Sequence, residues 1–153
     1  MLDELKDLYQ EMILDHNRNP RNFGVLEGAN RSARGSNPLC GDHYTIYARI
    51  DGEVLRDISF LGSGCAISKA SASILTGCLK GMTKAEVRML FDKVQAMLVG
   101  GRMDGDLGKL AALAGVHQFP ARVKCAMLPW HALLAALEGV NSPVSTETNL
   151  ALP

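Results

Sequence analysis

A chain of 153 residues is long enough for one domain with a real core, and domains of this size bury about 70% of the surface their unfolded chains expose. Sixteen Lys and Arg stand against sixteen Asp and Glu, so no net charge favours nucleic acid or an anionic membrane, and small molecules or protein partners are expected instead. With no basic segment leading into an apolar run at the N-terminus, and no stretch of about 18 apolar residues, the expectation is a soluble, cytoplasmic protein.

In chain order, Leu2, Leu5, Leu8, Met12, Ile13 and His16 recur at helical spacing, which predicts a first helix over about 2–16. Asn17 to Gly24 is rich in Asn, Pro and Gly, and Val25 to Pro38 has few apolar anchors, so both read as loop, the second as a long arm leading to Cys40. Tyr44, Ile46, Ala48 and Ile50 alternate as in a strand, and Glu53 to Leu61 is strand-like again. Asp51-Gly52 between them is a two-residue hairpin signal. Such a turn pairs Ile50 with Glu53, Asp42 with Leu61 and Cys40 with Ser63. Opposed Cα atoms lie about 4.5–5.5 Å apart, so the hairpin alone brings Cys40 and Asp42 towards Cys65.

After Gly62-Ser63-Gly64, the stripe Ile67, Ala70, Ile74 and Cys78 predicts a helix over about 65–80 with Cys65 at its start. Cys78 would lie about 20 Å along that helix and about 220° around it from Cys65, so it is read as a buried small hydrophobe outside any shared site. Thr83-Lys84-Ala85-Glu86 matches a capping box, opening a helix that Gly100-Gly101 stops. Arg102 to Phe119 reads as an insertion with a helical candidate over Leu107 to Ala114. Leu128, Trp130, Leu133, Leu134 and Leu137 mark a last helix ending near Gly139. Proline is best tolerated in a first turn, so Pro129 dates that helix to a start near Cys125. Both Cys65 and Cys125 are then expected at helix N-termini, where free N–H groups favour thiolate. Residues 1–140 form a single domain in this reading, and 141–153 a frayed tail.

The four cysteines contain no CxxC pair, so a shared site must be assembled by folding. In a reducing cytosol unpaired cysteines are metal ligands, reactive thiols or buried hydrophobes more often than disulfides. Cys40, Asp42, Cys65 and Cys125 offer three thiolates and a carboxylate, suited to tetrahedral zinc or to a cluster of iron and sulfide. Nothing local ties Cys125 to the others, and scattered core cysteines remain the alternative at this point. His43 adjoins Asp42 but points to the other strand face, and His16, His117 and His131 stand alone; no motif supports a Cys-His nucleophile.

Asp15-His16 with Asn19-Pro20-Arg21-Asn22, then Asn37-Pro38-Leu39-Cys40-Gly41-Asp42, Gly64-Cys65-Ala66-Ile67-Ser68 and Arg122-Val123-Lys124-Cys125, resemble the iron-sulfur cluster assembly proteins of the IscU, NifU N-terminal and SufU type. The resemblance runs to about Gly139. It implies an α+β fold, a small antiparallel sheet (hairpin about 42–61) packed against several helices, and a metal or cluster site of Cys40, Asp42, Cys65 and Cys125. Lys124 replaces the scaffold branch's histidine, and Gln118-Phe119-Pro120-Ala121-Arg122 its Leu-Pro-Pro-Val-Lys segment. With the extra residues around Arg102 to Phe119, these departures resemble the SufU branch.

That branch implies bound Zn2+ and a sulfurtransferase-like role beside a pyridoxal-phosphate cysteine desulfurase of the SufS type, rather than a stand-alone enzyme. Cys40, at the end of the flexible loop, would accept the persulfide sulfur and pass it to a downstream scaffold or apo-protein. The rival readings are a scaffold carrying a [2Fe-2S] cluster on Cys40, Cys65 and Cys125, and a structural zinc domain that only binds a partner.

Overall fold

The computed structural model describes residues 2–38, 41–139 and 144–145. In chain order the elements are α1 (Leu2–Arg18), β1 (Arg31–Asn37), β2 (Asp42–Asp51), β3 (Val54–Ser63), α2 (Ala66–Leu79), α3 (Lys84–Gly100), a 3-10 helix (Gly108–Gln118), α4 (Pro120–Glu138) and β4 (Val144–Ser145). The strands form one sheet in the order β3-β2-β1-β4, antiparallel except for the short β1–β4 pair. Helices α2 and α4 pack on the sheet, and α1, α3 and the 3-10 helix pack outside them, an α+β arrangement. Among the described residues no helix is long and apolar enough to cross a membrane.

The stretch read as a loop arm from Val25 to Pro38 contains β1. Its inward residues are Ala33, Gly35 and Asn37, so the period of two is present in burial but nearly invisible in hydropathy. The residues are small because α4 lies against them: Ala33 packs with Ala135 and Ala136. From Asn141 onward, the segment expected as a frayed tail contributes Val144–Ser145 beside Gly35 and Ser36. Its other residues lie outside the described ones.

The β2–β3 hairpin exists, but its register differs from the expected one. Asp51 pairs with Val54 and Ile50 with Leu55, which makes Gly52-Glu53 the turn, and a bulge beyond Ile50 then brings Arg49 opposite Asp57, Thr45 opposite Leu61 and His43 opposite Ser63. Core packing demands this. Leu55 points inward, and so do Ile58 and Phe60, although an odd spacing separates them from Leu55. Only an extra residue lets all three share a face with Tyr44, Ile46, Ala48 and Ile50.

Helix α2 is the centre of the core, with Ser68 and the whole run Ala70 to Thr76 buried. Helix α1 is pinned to it through a polar contact: His16 Nδ1 lies 2.7 Å from Ser73 Oγ, which also accepts the Arg21 N–H at 2.8 Å. Burial lowers the His16 imidazole below its usual value. Asp15 and Arg21 close the same corner with an exposed ion pair at 2.6 Å. The capping box forms as expected, Thr83 N–H donating to Glu86 Oε1 at 3.0 Å and Glu86 N–H to Thr83 Oγ1 at 3.1 Å. Gly101, at φ 70, ends α3.

Two helical expectations are corrected. The candidate over Leu107 to Ala114 is a 3-10 helix over Gly108–Gln118; its larger buried side chains, Leu110, Leu113 and Val116, together with Leu107 just before it, follow the three-residue turn, and Ala111 and Ala112 are buried between them. Helix α4 starts at Pro120, so Pro129 is interior and Cys125 sits in the second turn rather than at the N-terminus. Pro120 takes the first-turn place that suits proline. Pro129 cannot donate to the carbonyl four residues back, and beside that break the Ser71 hydroxyl donates to Ala126 O at 2.7 Å. Gly139, at φ 72, ends the helix.

Candidate metal centre

The β2–β3 ladder carries Asp42 to the sheet end where Gly64 and Cys65 lead into α2. Asp42 is buried at 2% exposure, and its Oδ1 accepts the Cys65 N–H at 3.0 Å. Gly64 makes this approach possible: a Cβ there would lie 2.7 Å from Asp42 Cγ, Asp42 Oδ1 and Ser68 Oγ. Cys65 caps α2, its sulfur accepting the Ser68 N–H at 3.4 Å. Ser68 Oγ donates to Cys65 O at 3.1 Å and lies 2.8 Å from the Tyr44 hydroxyl. Burial first, then nearby negative charge, pushes the Tyr44 phenol well above its usual value.

Helix α4 delivers the third group. Cys125 is buried, with its thiol donating to Ala121 O at 3.6 Å. One ligand atom from each of Asp42, Cys65 and Cys125 lies within 4.8 Å of the others. Ligands of a tetrahedral zinc would be about 3.5–3.8 Å apart, so a small inward movement closes the set. Asp42 Oδ2 is buried and has no hydrogen-bond partner among the described residues. An unmatched buried carboxylate oxygen is costly in itself and is what a cation would satisfy, so these residues fit a metal ion.

Cys40 lies outside the described residues; Gly41, which follows it, donates its N–H to Asn37 O at 2.8 Å with φ 74. Cys78 is not in the group. It is half-buried against the core, and burial raises its thiol above the usual range. His43 is on the exposed face, with Nε2 3.1 Å from Ser63 Oγ. His117 contacts Leu98 O and His131 packs on Phe91, so neither approaches the sulfurs.

Arg122 enters the sequence reading only as part of a motif, yet its guanidinium reaches both sulfurs. Attraction to Cys65 first, then hydrogen bonds to Cys125 and Cys65, raise it above its usual value. Dating α4 from Pro129 hides this role. With α4 starting at Pro120, Arg122 and Cys125 are three residues apart on one helical face. Three thiolates, a carboxylate and a divalent ion would leave two negative charges, and Arg122 is a cation placed to offset them. Because the side chain is exposed, Arg122→Gln is expected to weaken metal binding only about two- to fivefold, less at high salt. Chelator competition at two ionic strengths checks this, and an equal loss at both would contradict an electrostatic role.

The model of the NifU-like N terminal domain matches residues 8–126. A zinc-dependent sulfurtransferase SufU of Bacillus subtilis is 43% identical over 143 residues, covering 90% of this chain and 96% of that one. An iron-sulfur cluster assembly scaffold protein IscU of Streptococcus pyogenes is 36% identical over 152 residues, covering 97% and 95%. The crystal structure of a SufU from Fervidobacterium islandicum superposes with TM-score 0.78 at 35% identity, covering 83% of this chain and 94% of that one.

Proposed function

Since this chain belongs to the NifU-like N-terminal domain family, we propose that it works in iron-sulfur cluster assembly as a zinc-binding acceptor of persulfide sulfur. The donor would be a pyridoxal-phosphate cysteine desulfurase of the SufS type in the cytoplasm, and the sulfur would pass on to a scaffold or apo-protein. One observation carries the reading: Asp42, with its unmatched buried oxygen, converges with Cys65 and Cys125 at the end of the sheet. The Bacillus subtilis relative, named a zinc-dependent sulfurtransferase, supports the same choice.

Zn2+ held by Cys40, Asp42, Cys65 and Cys125 would keep the thiols deprotonated and in place. Asp42 and the two helix-borne cysteines stay put, and Cys40, in the β1–β2 connection, takes the sulfur. The Cys40 thiolate attacks the terminal sulfur of the donor persulfide, the donor's S–S bond breaks, and the donor leaves as a thiolate while the new S–S bond forms on Cys40. No net oxidation or reduction occurs. Arg122 stands beside the sulfurs as the anionic donor arrives.

Purified protein is expected to carry one zinc per chain and to stimulate the desulfurase, and Cys40→Ala to abolish the stimulation. Unchanged stimulation by that variant would overturn the assignment. The Streptococcus pyogenes relative, named a scaffold, favours a second reading in which a [2Fe-2S] cluster forms on the same cysteines. Anaerobic reconstitution separates the two: a stable cluster transferred to an apo-acceptor supports the scaffold, while zinc that resists replacement by iron supports the carrier.

A further inference from the structure

The cysteines of the site are held differently. Cys65 is a helix cap, a place where serine, threonine, aspartate or asparagine usually accepts an N–H, and its sulfur receives the Ser68 N–H at 3.4 Å. Ser68 Oγ lies 3.7 Å from the same sulfur. Behind it stands the Tyr44 hydroxyl, 2.8 Å from Ser68 Oγ, and both side chains are almost wholly buried. With the thiol proton present, the Cys65 S–H can point at Ser68 Oγ, and the serine donates to Cys65 O. Once the sulfur is a metal-bound thiolate it can only accept, so the Ser68 hydroxyl can turn to it, with Tyr44 donating to Ser68 in turn. A chain of two hydroxyls and an amide N–H then ends on one sulfur, each donor polarised by the one behind it. At Cys125 the thiol points to a backbone acceptor, Ala121 O. Arg122 interacts with both sulfurs, so it is not what sets Cys65 apart as a hydrogen-bonded cap.

We propose that Ser68 and Tyr44 are positioning residues that make Cys65 the resident ligand, its sulfur drained of nucleophilicity by donated hydrogen bonds so that incoming sulfur is directed to another thiol. The proposal rests on the zinc-dependent sulfur-acceptor reading and adds a division of labour among its ligands. Hydrogen bonds from outside the ligand shell orient ligand atoms and tune their basicity, and a buried hydroxyl pair aimed at one sulfur is such a device. Sequence spacing does not suggest it, because Tyr44 lies on β2 and meets Ser68 only through the sheet register.

The test is alkylation by iodoacetamide, mapped to each cysteine by peptide mass spectrometry, on zinc-loaded and metal-free samples whose zinc content is measured in parallel. In the zinc-loaded sample Ser68→Ala is expected to raise the rate at Cys65 relative to Cys125 about tenfold, the size of one charge-assisted hydrogen bond, with Cys78 unmoved, and the metal-free sample, in which the serine donates to Cys65 O, should show no such rise. Tyr44→Phe keeps the ring and its packing, and should raise the same ratio about threefold through the weakened chain. Ser68→Thr, which retains the hydroxyl, should restore it. If Ser68→Ala does not fold, Tyr44→Phe carries the test. An unmoved Cys65 to Cys125 ratio, or a rise shared by Cys78 as from general loosening, would overturn the proposal. Protein that binds no zinc would overturn the zinc reading and, with it, the relay, which acts on a metal-bound thiolate. One zinc per chain with an unmoved ratio would overturn the relay alone.

Discussion

Asp42→Asn is expected to change sign with the metal. In metal-free protein the asparagine keeps an oxygen to accept the Cys65 N–H, held at 3.0 Å by Asp42 Oδ1, and it removes a buried carboxylate oxygen that has no partner among the described residues. The amide nitrogen that replaces it is also unmatched but uncharged, and burying an unpaired charge costs more than burying an unpaired amide, so the metal-free variant should be at least as stable as the metal-free parent. With zinc the order reverses. A hundredfold loss of affinity removes about 2.7 kcal/mol of linked stability, which for a chain of this length lowers Tm by about 5–10 °C. Thermal unfolding of both proteins, with zinc and after chelation, checks the crossing. A variant destabilised equally in the two conditions would mark Asp42 as a structural hydrogen-bond acceptor only.

Gly64→Ala should be the most damaging single methyl at the site. The new Cβ would meet Asp42 Cγ, Asp42 Oδ1 and Ser68 Oγ at 2.7 Å, and none of these atoms is free to swing away. Asp42 Oδ1 is held by the Cys65 N–H, and Ser68 Oγ by Tyr44 and the Cys65 carbonyl. Relief therefore means pushing Asp42 out of the group or the start of α2 off the sheet. Overpacking of this kind costs about 1–3 kcal/mol, and zinc affinity is expected to fall more than about a hundredfold. Gly41→Ala is the comparison: it has open space around its Cβ and only the strain of φ +74, so zinc binding should survive. Urea unfolding and competition with a chromophoric chelator measure the two effects. Parent-like zinc binding by Gly64→Ala would show that the approach of Asp42 to the helix start is not needed.

The nearness of Asp42 and Cys65 is legible in the residue pattern, though from a turn one residue out of place. The hairpin signal at Asp51-Gly52 is real, but the two turn residues are Gly52 and Glu53. Alternation in β2 is clean, whereas in β3 the inward set Leu55, Ile58 and Phe60 changes parity, and that break is the mark of a bulge. The parity of these three apolar residues is the signal that leads to the correct ladder. Strand β1 is less accessible, because its inward Ala33, Gly35 and Asn37 are small for the sake of α4 and carry almost no hydrophobic signal. Weighing Pro129 over Pro120 misdates the start of α4, which also conceals Arg122 as a neighbour of Cys125.

By itself, the sequence determined local things: the capping box of α3, the glycine stops at Gly101 and Gly139, the exclusion of Cys78 by helical geometry, and a set of residue motifs specific enough to point to one family. These rest on interactions between residues near in the chain, or on spacing along a single helix. Tertiary structure alone decided which groups meet. Cys125 joins Asp42 and Cys65 because α4 packs across the sheet beside α2, and Tyr44 reaches Ser68 because α2 packs on β3, the strand paired with β2. Such meetings depend on how two amphipathic surfaces dock, which is set by side-chain volume and close packing over the whole core and leaves no fixed spacing in the chain.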